Sequence, residues 1–347
     1  MTDMNLPLPD PQDMAPDPSQ GTVTMIDDHH ALAQKVGVVL NPKGGYVRRH
    51  LRTFRHLVAQ LDDARVIEAS TPAQITAAIQ SLALQKHDLL VVVGGDGTLQ
   101  AALTALVESQ PTDTPSVLIV PAGTTNMSAH DLGVRQRPAK VLEALHDSRR
   151  GVRAAPASRL RNALRVFDPH TQQAQCGLFF GAGAVVEGVR YFHSHVRTKG
   201  IRGALGPSLA FIRMLTSLAW KGSLPFSSAT TARLHLPQHT LNARWMVILA
   251  TTLDTLLLRS TPYWGTEKAP IHFTAIGQRA PKLVRALFYI LRGKPAPAIT
   301  QHQAYVSHNL HTTTLEGLTE YLLDGEIFST DGQLELSATA PVRFVLF

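Results

Sequence analysis

A single cysteine, Cys176, stands among 347 residues. That excludes an internal disulfide framework and a zinc site built from several cysteines. Long apolar runs are also missing. Runs such as Leu89–Val93 and Trp245–Ala250 reach no more than six residues, far short of the ~18 to 20 residues of a membrane-spanning helix. The opening residues are acidic and proline-rich, with no basic n-region and no apolar h-region. No secretory signal is expected from them, and the chain reads as cytoplasmic. Acid is scarce in the body. Residues 1–35 hold six aspartates and one base, Lys35, which leaves 32 bases and 20 acids in the rest, a net of +12 against +7 for the whole. No acid occurs from Gly188 to Leu253, where eight Lys or Arg stand, or from Lys268 to Leu315. Such a body implies an anionic partner: nucleotide, nucleic acid or an anionic membrane surface. The basic stretches lack interleaved aromatics, and no helix-turn-helix or zinc-finger pattern appears, so nucleic acid is disfavoured. His29-His30 and His193/His195 have no third ligand at metal spacing and read as surface histidines.

What is present is a globular composition, 44% apolar and 17% charged, in a chain long enough for two domains. Residues 1–34 have no apolar period and read as a disordered acidic arm. Residues 35–150 alternate strand and helix signals. Val36–Leu40, Arg65–Ala69, Asp88–Val93 and Ser116–Val120 read as strands, and Tyr46–Leu61, Thr71–Gln85 and the segment after Thr98 as helices. Thr71 before Pro72 is an N-cap followed by a first-turn proline. This pattern predicts an α/β domain with a parallel sheet and helices on both faces. Residues 151–347 carry shorter alternating segments, including Ala163–Phe167, Gly177–Phe180, Ala232–Leu236, Arg244–Ala250, Ile271–Ala275, Gln333–Leu336 and Val342–Leu346. They predict a mainly antiparallel β domain, with helices at about 205–220 and 280–292 and last strands that can return to the first domain.

Three small-residue loops follow three of the N-terminal strands: Asn41-Pro42-Lys43-Gly44-Gly45, Gly94-Gly95-Asp96-Gly97-Thr98 and Pro121-Ala122-Gly123-Thr124-Thr125-Asn126. In a parallel sheet, loops at the carboxyl ends of the strands gather on one edge, where ligands bind. Glycines let backbone N–H groups approach phosphate oxygens, and the following helices point their positive ends there. Thr98, Thr124 and Thr125 can donate hydroxyls, and Lys43 can neutralise phosphate charge. Asp96 is an anion in such a loop, a costly placement unless it holds a cation or orients a polar group, as a Mg²⁺–nucleotide requires. No Gly-x4-Gly-Lys-Ser/Thr occurs, and no Gly-x-Gly-x-x-Gly follows the first strand, so neither a P-loop enzyme nor a standard dinucleotide fold is favoured.

These loops resemble those of the diacylglycerol kinase catalytic-domain family, which includes diacylglycerol, sphingosine and ceramide kinases, within the superfamily shared with NAD kinases. The Gly94–Thr98 stretch matches the superfamily's GGDGT. Pro121–Asn126, with Leu132-Gly133 beyond it, is similar to the lipid kinases' Pro-x-Gly-Thr-x-Asn loop. Leu323-Asp324-Gly325-Glu326 is similar to the family's C-terminal Asp-Gly-Glu, whose Glu is proposed as general base. Taken alone, Asp-Gly there reads as a hairpin turn. The resemblance implies ATP and Mg²⁺ as co-substrate and cofactor. It implies nucleotide contacts from Asn41, Pro42, Lys43, Gly44, Gly94, Gly95, Asp96, Gly97, Thr98, Gly123, Thr124, Thr125 and Asn126. Glu326 and Asp96 would be catalytic, with Asp96 at the magnesium–nucleotide, and diacylglycerol is the first-choice acceptor.

Two positions depart from the pattern. Met127 stands where the family usually has Asp. Thr261–Pro270 carries Glu267 and Lys268 where the family has an Asp-Gly that helps hold a structural magnesium, and that ion is not expected here. The alternatives are an NAD-kinase-like activity and a non-catalytic nucleotide- or lipid-binding homologue. Two amphipathic basic segments stand out: Arg279–Gly293, and 197–221 with Arg197, Lys199, Arg202, Arg213 and Lys221. Such segments usually pack on a core with a solvated polar face. On an enzyme with a membrane-borne substrate they suit docking to anionic lipid, which would make the protein peripheral to a membrane. A homodimer stays open.

Overall fold

The computed structural model describes residues 23–25, 35–109, 114–191 and 229–347. Most of the acidic arm, the helix expected at 205–220 with its bases, and both histidine pairs lie outside the described residues.

The N-terminal half alternates strands β1 (Val23–Met25), β2 (Val36–Leu40), β3 (Arg65–Glu68), β4 (Leu89–Gly94) and β5 (Ser116–Pro121) with helices. The helices are α1 (Leu51–Ala59), α2 (Pro72–Leu84), α3 (Asp96–Ser109), α4 (Met127–Leu132) and α5 (Pro138–Arg149). Strands β3, β2, β4 and β5 lie side by side and parallel, with Val38 opposite Val66 and Val91, and Val91 opposite Leu118. Every residue of β2 and β4 is buried. Helices cover both faces of such a sheet, so the strands read as unbroken apolar runs rather than alternating ones. Thr71 caps α2 by accepting from the Gln74 N–H, and Pro72 fills its first turn.

The C-terminal half holds β6 (Ala157–Asp168), β7 (Gln173–Gly177), β8 (Phe179–Gly183), α6 (Ala184–Tyr191), β9 (Thr230–His235), β10 (Thr240–Thr251) and β11 (Ile271–Gly277). It continues with α7 (Leu283–Ile290), α8 (Pro297–Thr300), β12 (Tyr305–Leu310), β13 (Thr312–Leu323) and β14 (Glu326–Leu346). Its strand pairs are antiparallel, and Trp245, Phe180 and Phe273 are buried in its core. β14 spans 21 residues and joins the halves. Its start pairs with β13. Its end runs parallel to β5, with Phe344 opposite Val117 and Val345 opposite Leu118. One hydrogen-bonded sheet therefore passes from β3 to β12.

The structure corrects several expected elements. The helix expected over Tyr46–Leu61 is a 3-10 turn, Val47–Arg49, followed by α1. The Gly94–Thr98 loop is shorter than expected, because α3 begins at Asp96, whose carboxylate suits the positive end of a helix. The segments Gln333–Leu336 and Val342–Leu346 are one strand, interrupted in its pairing with β6 by an irregularity between Ala338 and Pro341, where proline has no N–H to give. Strand β1 lies within the arm read as disordered and pairs with β6. Strands β7 and β12 were not expected either, and β13 was implied only by the Asp324-Gly325 turn. Tyr305–Leu310 and Thr312–Leu323 mix Thr, Ser, His and Glu with few apolar positions.

Candidate active site

The three loops meet at the carboxyl edge of β2, β4 and β5, held together by backbone bonds. Asn41 N–H donates to Val93 O (3.0 Å), Ala122 N–H to Gly94 O (2.8 Å) and Tyr46 N–H to Ala122 O (3.3 Å). The second and third loops touch through bare backbone: a Cβ on Gly95 would lie 2.8 Å from Gly123 Cα. Real side chains do not approach so closely, so both positions are restricted to glycine. Gly123→Ala is expected to cost about 1–3 kcal/mol in urea unfolding, the usual range for overpacking. A cost below about 0.5 kcal/mol would show that the loops can part freely.

Two of the expected ligand residues staple the loops. The Asn41 carboxamide donates to Thr98 Oγ1 (2.9 Å) and accepts from the Lys43 N–H (3.0 Å). The Asn126 carboxamide accepts from the Gly123 N–H (2.8 Å) and donates to Pro121 O (3.0 Å), with Asn126 itself in the left-handed region. Lys43 and Thr124 are exposed at the mouth of the site.

Asp96 points across to the start of α4. Its two carboxylate oxygens accept the N–H groups of Met127 and Ser128, each at 3.3 Å. At Met127 the polar contact is a backbone one, its N–H on Asp96, and the methionine side chain offers no carboxylate there. Burial raises the Asp96 carboxyl above the usual range, against these two N–H groups.

Asp324 and Glu326 flank Gly325 in a two-residue turn between β13 and β14, with Leu323 paired to Glu326. Asp324 and Gly325 both have positive φ, the geometry of a mirror-image hairpin turn, which Asp-Gly adopts readily. Sequence reasoning did not single out the Asp324 side chain. It is buried and accepts from the Leu178 N–H and the Phe179 N–H, both at 2.9 Å, fixing the turn against β8. Glu326, on the far side of the turn, is exposed and lies against Gly97: a Cβ there would fall 2.7 Å from Glu326 Oε1. The fold therefore brings together Glu326 and the Gly94–Thr98 stretch, which are more than two hundred residues apart in sequence.

Burial, and then the charge of Asp96, push Asp324 up to about 8. Its unfolded value is near 3.8, so between these limits the folded state holds a proton that the unfolded state has lost. Stability from this group is full below about pH 4 and is lost as pH rises towards 8. Wild type is therefore expected to lose more stability between pH 5 and pH 8 than Asp324→Asn does. Parallel pH profiles from urea unfolding would contradict this.

A second network, which sequence reasoning missed, ties α4 to the C-terminal half. Arg161 donates to both Asp254 oxygens (2.7 and 2.5 Å), to Asp131 Oδ2 (3.2 Å) and to Thr252 O (2.7 Å). Asp131, on α4, also accepts from the Thr255 N–H (2.7 Å) and hydroxyl (2.9 Å). Burial holds Asp131 above the usual carboxylate range despite Arg161. Burial opposes ionisation of Asp254 too, but Arg161 keeps that group below the usual range. The Tyr263 hydroxyl donates to the carbonyls of Leu253 and Asp254. Glu267 accepts from His308 Nδ1 (2.6 Å) and the Asn309 N–H (2.8 Å).

Residues 35–155 match the family model of the diacylglycerol kinase catalytic domain. The chain is 30% identical over 105 residues to the diacylglycerol kinase of Bacillus subtilis (strain 168), an alignment covering 29% of this chain and 34% of that protein. The match thus spans about a third of that relative's length. A crystal structure of a candidate diacylglycerol kinase from Bacillus anthracis str. Sterne superimposes with a TM-score of 0.64 at 14% identity, covering 90% of this chain and 97% of that one. A crystal structure of a diacylglycerol kinase from the same strain gives 0.58 at 14% identity, covering 90% and 97%. At that identity the likeness is one of fold, and it extends through both halves. No helix among the described residues is long and apolar enough to cross a membrane.

Proposed function

We propose that this chain is an ATP-dependent lipid kinase that transfers the γ-phosphoryl group to a lipid hydroxyl, with diacylglycerol the first-choice acceptor. The observation that carries this reading is the Glu326 carboxylate against Gly97, where the three loops meet.

The donor set fits a nucleotide triphosphate. The exposed Thr124 and Lys43 offer a hydroxyl and an ammonium to phosphates, and the loop glycines leave backbone accessible beside them, with Gly95 packed on Gly123. Mg²⁺ keeps several waters and binds through one or two carboxylates together with substrate phosphates. Asp96, in the second loop, is the carboxylate that would hold it, which leaves Glu326 free to take a proton. When bound, the ion neutralises charge on the transferred group.

The protein's own contribution is positioning and electrostatics, the main terms in phosphoryl transfer. Glu326 accepts the proton of the lipid hydroxyl as its oxygen attacks the γ-phosphorus and the bond to the β,γ-bridging oxygen breaks. Lys43 and the loop amides stabilise charge on the departing oxygens. Asp96 fixes α4 and the third loop behind the phosphates. The acceptor is a membrane lipid, so the enzyme works at a membrane surface as a peripheral protein.

The test is product identification after incubation with γ-labelled ATP and separate samples of diacylglycerol, ceramide, sphingosine and NAD. Label in the diacylglycerol product is expected. Label in the NAD product alone would replace the lipid reading with a nucleotide-kinase one.

A further inference from the structure

We infer that the outer face of α7, with the turns that flank it, is a docking surface for an anionic lipid bilayer. The inference names a partner for the proposed lipid kinase and rests on that reading only for its purpose.

Helix α7 has two unlike sides. Ala286 and Ile290 are buried among Ile276, Ile299 and Tyr305. The opposite side leaves Val284 at 39%, Phe288 at 54% and Tyr289 at 53% exposure. Spacings of four residues, Val284 to Phe288 and Arg285 to Tyr289, put these groups on adjoining rows of one face. Exposing two large aromatics beside a valine is costly for a surface that meets only water.

Charge selects the partner. Arg279, Lys282, Arg285, Arg292 and Lys294 are all exposed around this face, and none forms an ion pair among the described residues. The stretch from Lys268 to Leu315 contains no acid to neutralise them. The Arg292 guanidinium sits 3.7 Å from the Phe288 ring centroid, so one of the two exposed aromatics carries a cation on its face. Apolar groups ringed by unpaired cations match the boundary between acyl chains and anionic headgroups.

The surface is also fixed to the site. Leu291 O accepts the Thr261 N–H (2.9 Å), and Gly293 and Lys294 close the end of the helix on Ile290 O (2.9 Å) and Tyr289 O (3.0 Å). From Thr261 the chain runs to Tyr263, which binds the Leu253–Asp254 backbone, and Asp254 binds Arg161 and, through it, α4. A bilayer bound at α7 is thereby held at a set orientation to the loops.

The experiment is vesicle co-sedimentation of the full chain with phosphatidylcholine vesicles and with vesicles that also contain phosphatidylserine. Two double variants accompany it, Phe288→Ser with Tyr289→Ser, and Lys282→Glu with Arg285→Glu. Wild type is expected to sediment with the anionic vesicles and to be released by salt. The aromatic variant is expected to lose about tenfold or more in partitioning, and the charge variant roughly fivefold or more per position. Phosphorylation of a short-chain, water-soluble diacylglycerol should be unchanged in both. Equal binding of wild type to neutral vesicles, or variants that sediment like wild type, would overturn the inference. So would full displacement by duplex DNA, or a wild-type dimer that both variants convert to monomer without vesicles. Vesicle binding without turnover of any lipid would leave the surface standing and remove the kinase reading.

Discussion

Glu326→Gln is expected to lower turnover of diacylglycerol by about 10²- to 10⁴-fold, the usual contribution of a positioned general base. The substitution keeps the size of the side chain and removes its ability to take a proton. Glu326 is exposed, and among the described residues its side chain accepts no hydrogen bond and forms no ion pair. The thermal midpoint should therefore stay within about 2 °C of wild type, since surface changes of this kind fall within roughly 0.5 kcal/mol. Binding of ATP should change little, because the loop amides and Lys43 are untouched. The neighbouring Asp324 behaves oppositely. It is buried and ties the turn to β8 through two 2.9 Å bonds, so its replacement lowers stability and activity together. Steady-state kinetics and thermal melts on the two variants separate the residue that reacts from the residue that positions it. A Glu326→Gln enzyme with near-normal turnover would remove the general base from the mechanism.

Arg161→Leu is expected to be among the most destabilising single substitutions in the described fold, at about 3–5 kcal/mol, the cost of breaking a buried ion pair from one side. The Asp131 side chain is 1% exposed and that of Asp254 is 40% exposed. Most of the penalty therefore falls on Asp131, while water screens Asp254. A double variant, Arg161→Leu with Asp131→Asn, should recover more than half of the loss, because the unpaired charge that then remains, on Asp254, is the one that reaches water. Urea unfolding at pH 7 reads both. A single variant costing under about 1 kcal/mol would show that water already reaches Asp131. The same substitution leaves α4 tied to the 252–255 segment only through the bonds of Asp131 to Thr255 and Asp254, so residual activity should fall more than the folded fraction does.

Much of this organisation was legible in the chain, for physical reasons that differ by element. Strands β2, β4 and β5 announce themselves because a sheet covered on both faces needs unbroken apolar runs. The three loops are legible because glycine and small polar residues sit directly after those runs. Helix α2 is marked by its Thr71 cap and Pro72. Helix α4, with six residues, is too short to show a period, although it carries both the Asp96 contact and Asp131. β13 alternates threonine and glutamate with leucine over one half-exposed face, so its apolar signal is diluted. The Arg161–Asp254 pair spans 93 positions, and no local pattern can mark a partner at that distance. Asp324 was hidden for a different reason: Asp-Gly is sufficiently explained as a hairpin turn, and the second use of its carboxylate appears only once β8 is beside it.

The central claim is that the edge of the sheet holding Glu326 over Gly97 moves phosphate from ATP to a lipid hydroxyl. Phosphorus NMR of the full chain with ATP, Mg²⁺ and diacylglycerol vesicles tests it most directly. The expected result is loss of the γ-phosphate signal matched by a new phosphomonoester signal in the lipid extract, absent when Glu326→Gln replaces wild type. The γ-phosphate appearing instead as inorganic phosphate or on a second nucleotide, with the lipid unphosphorylated, would contradict it.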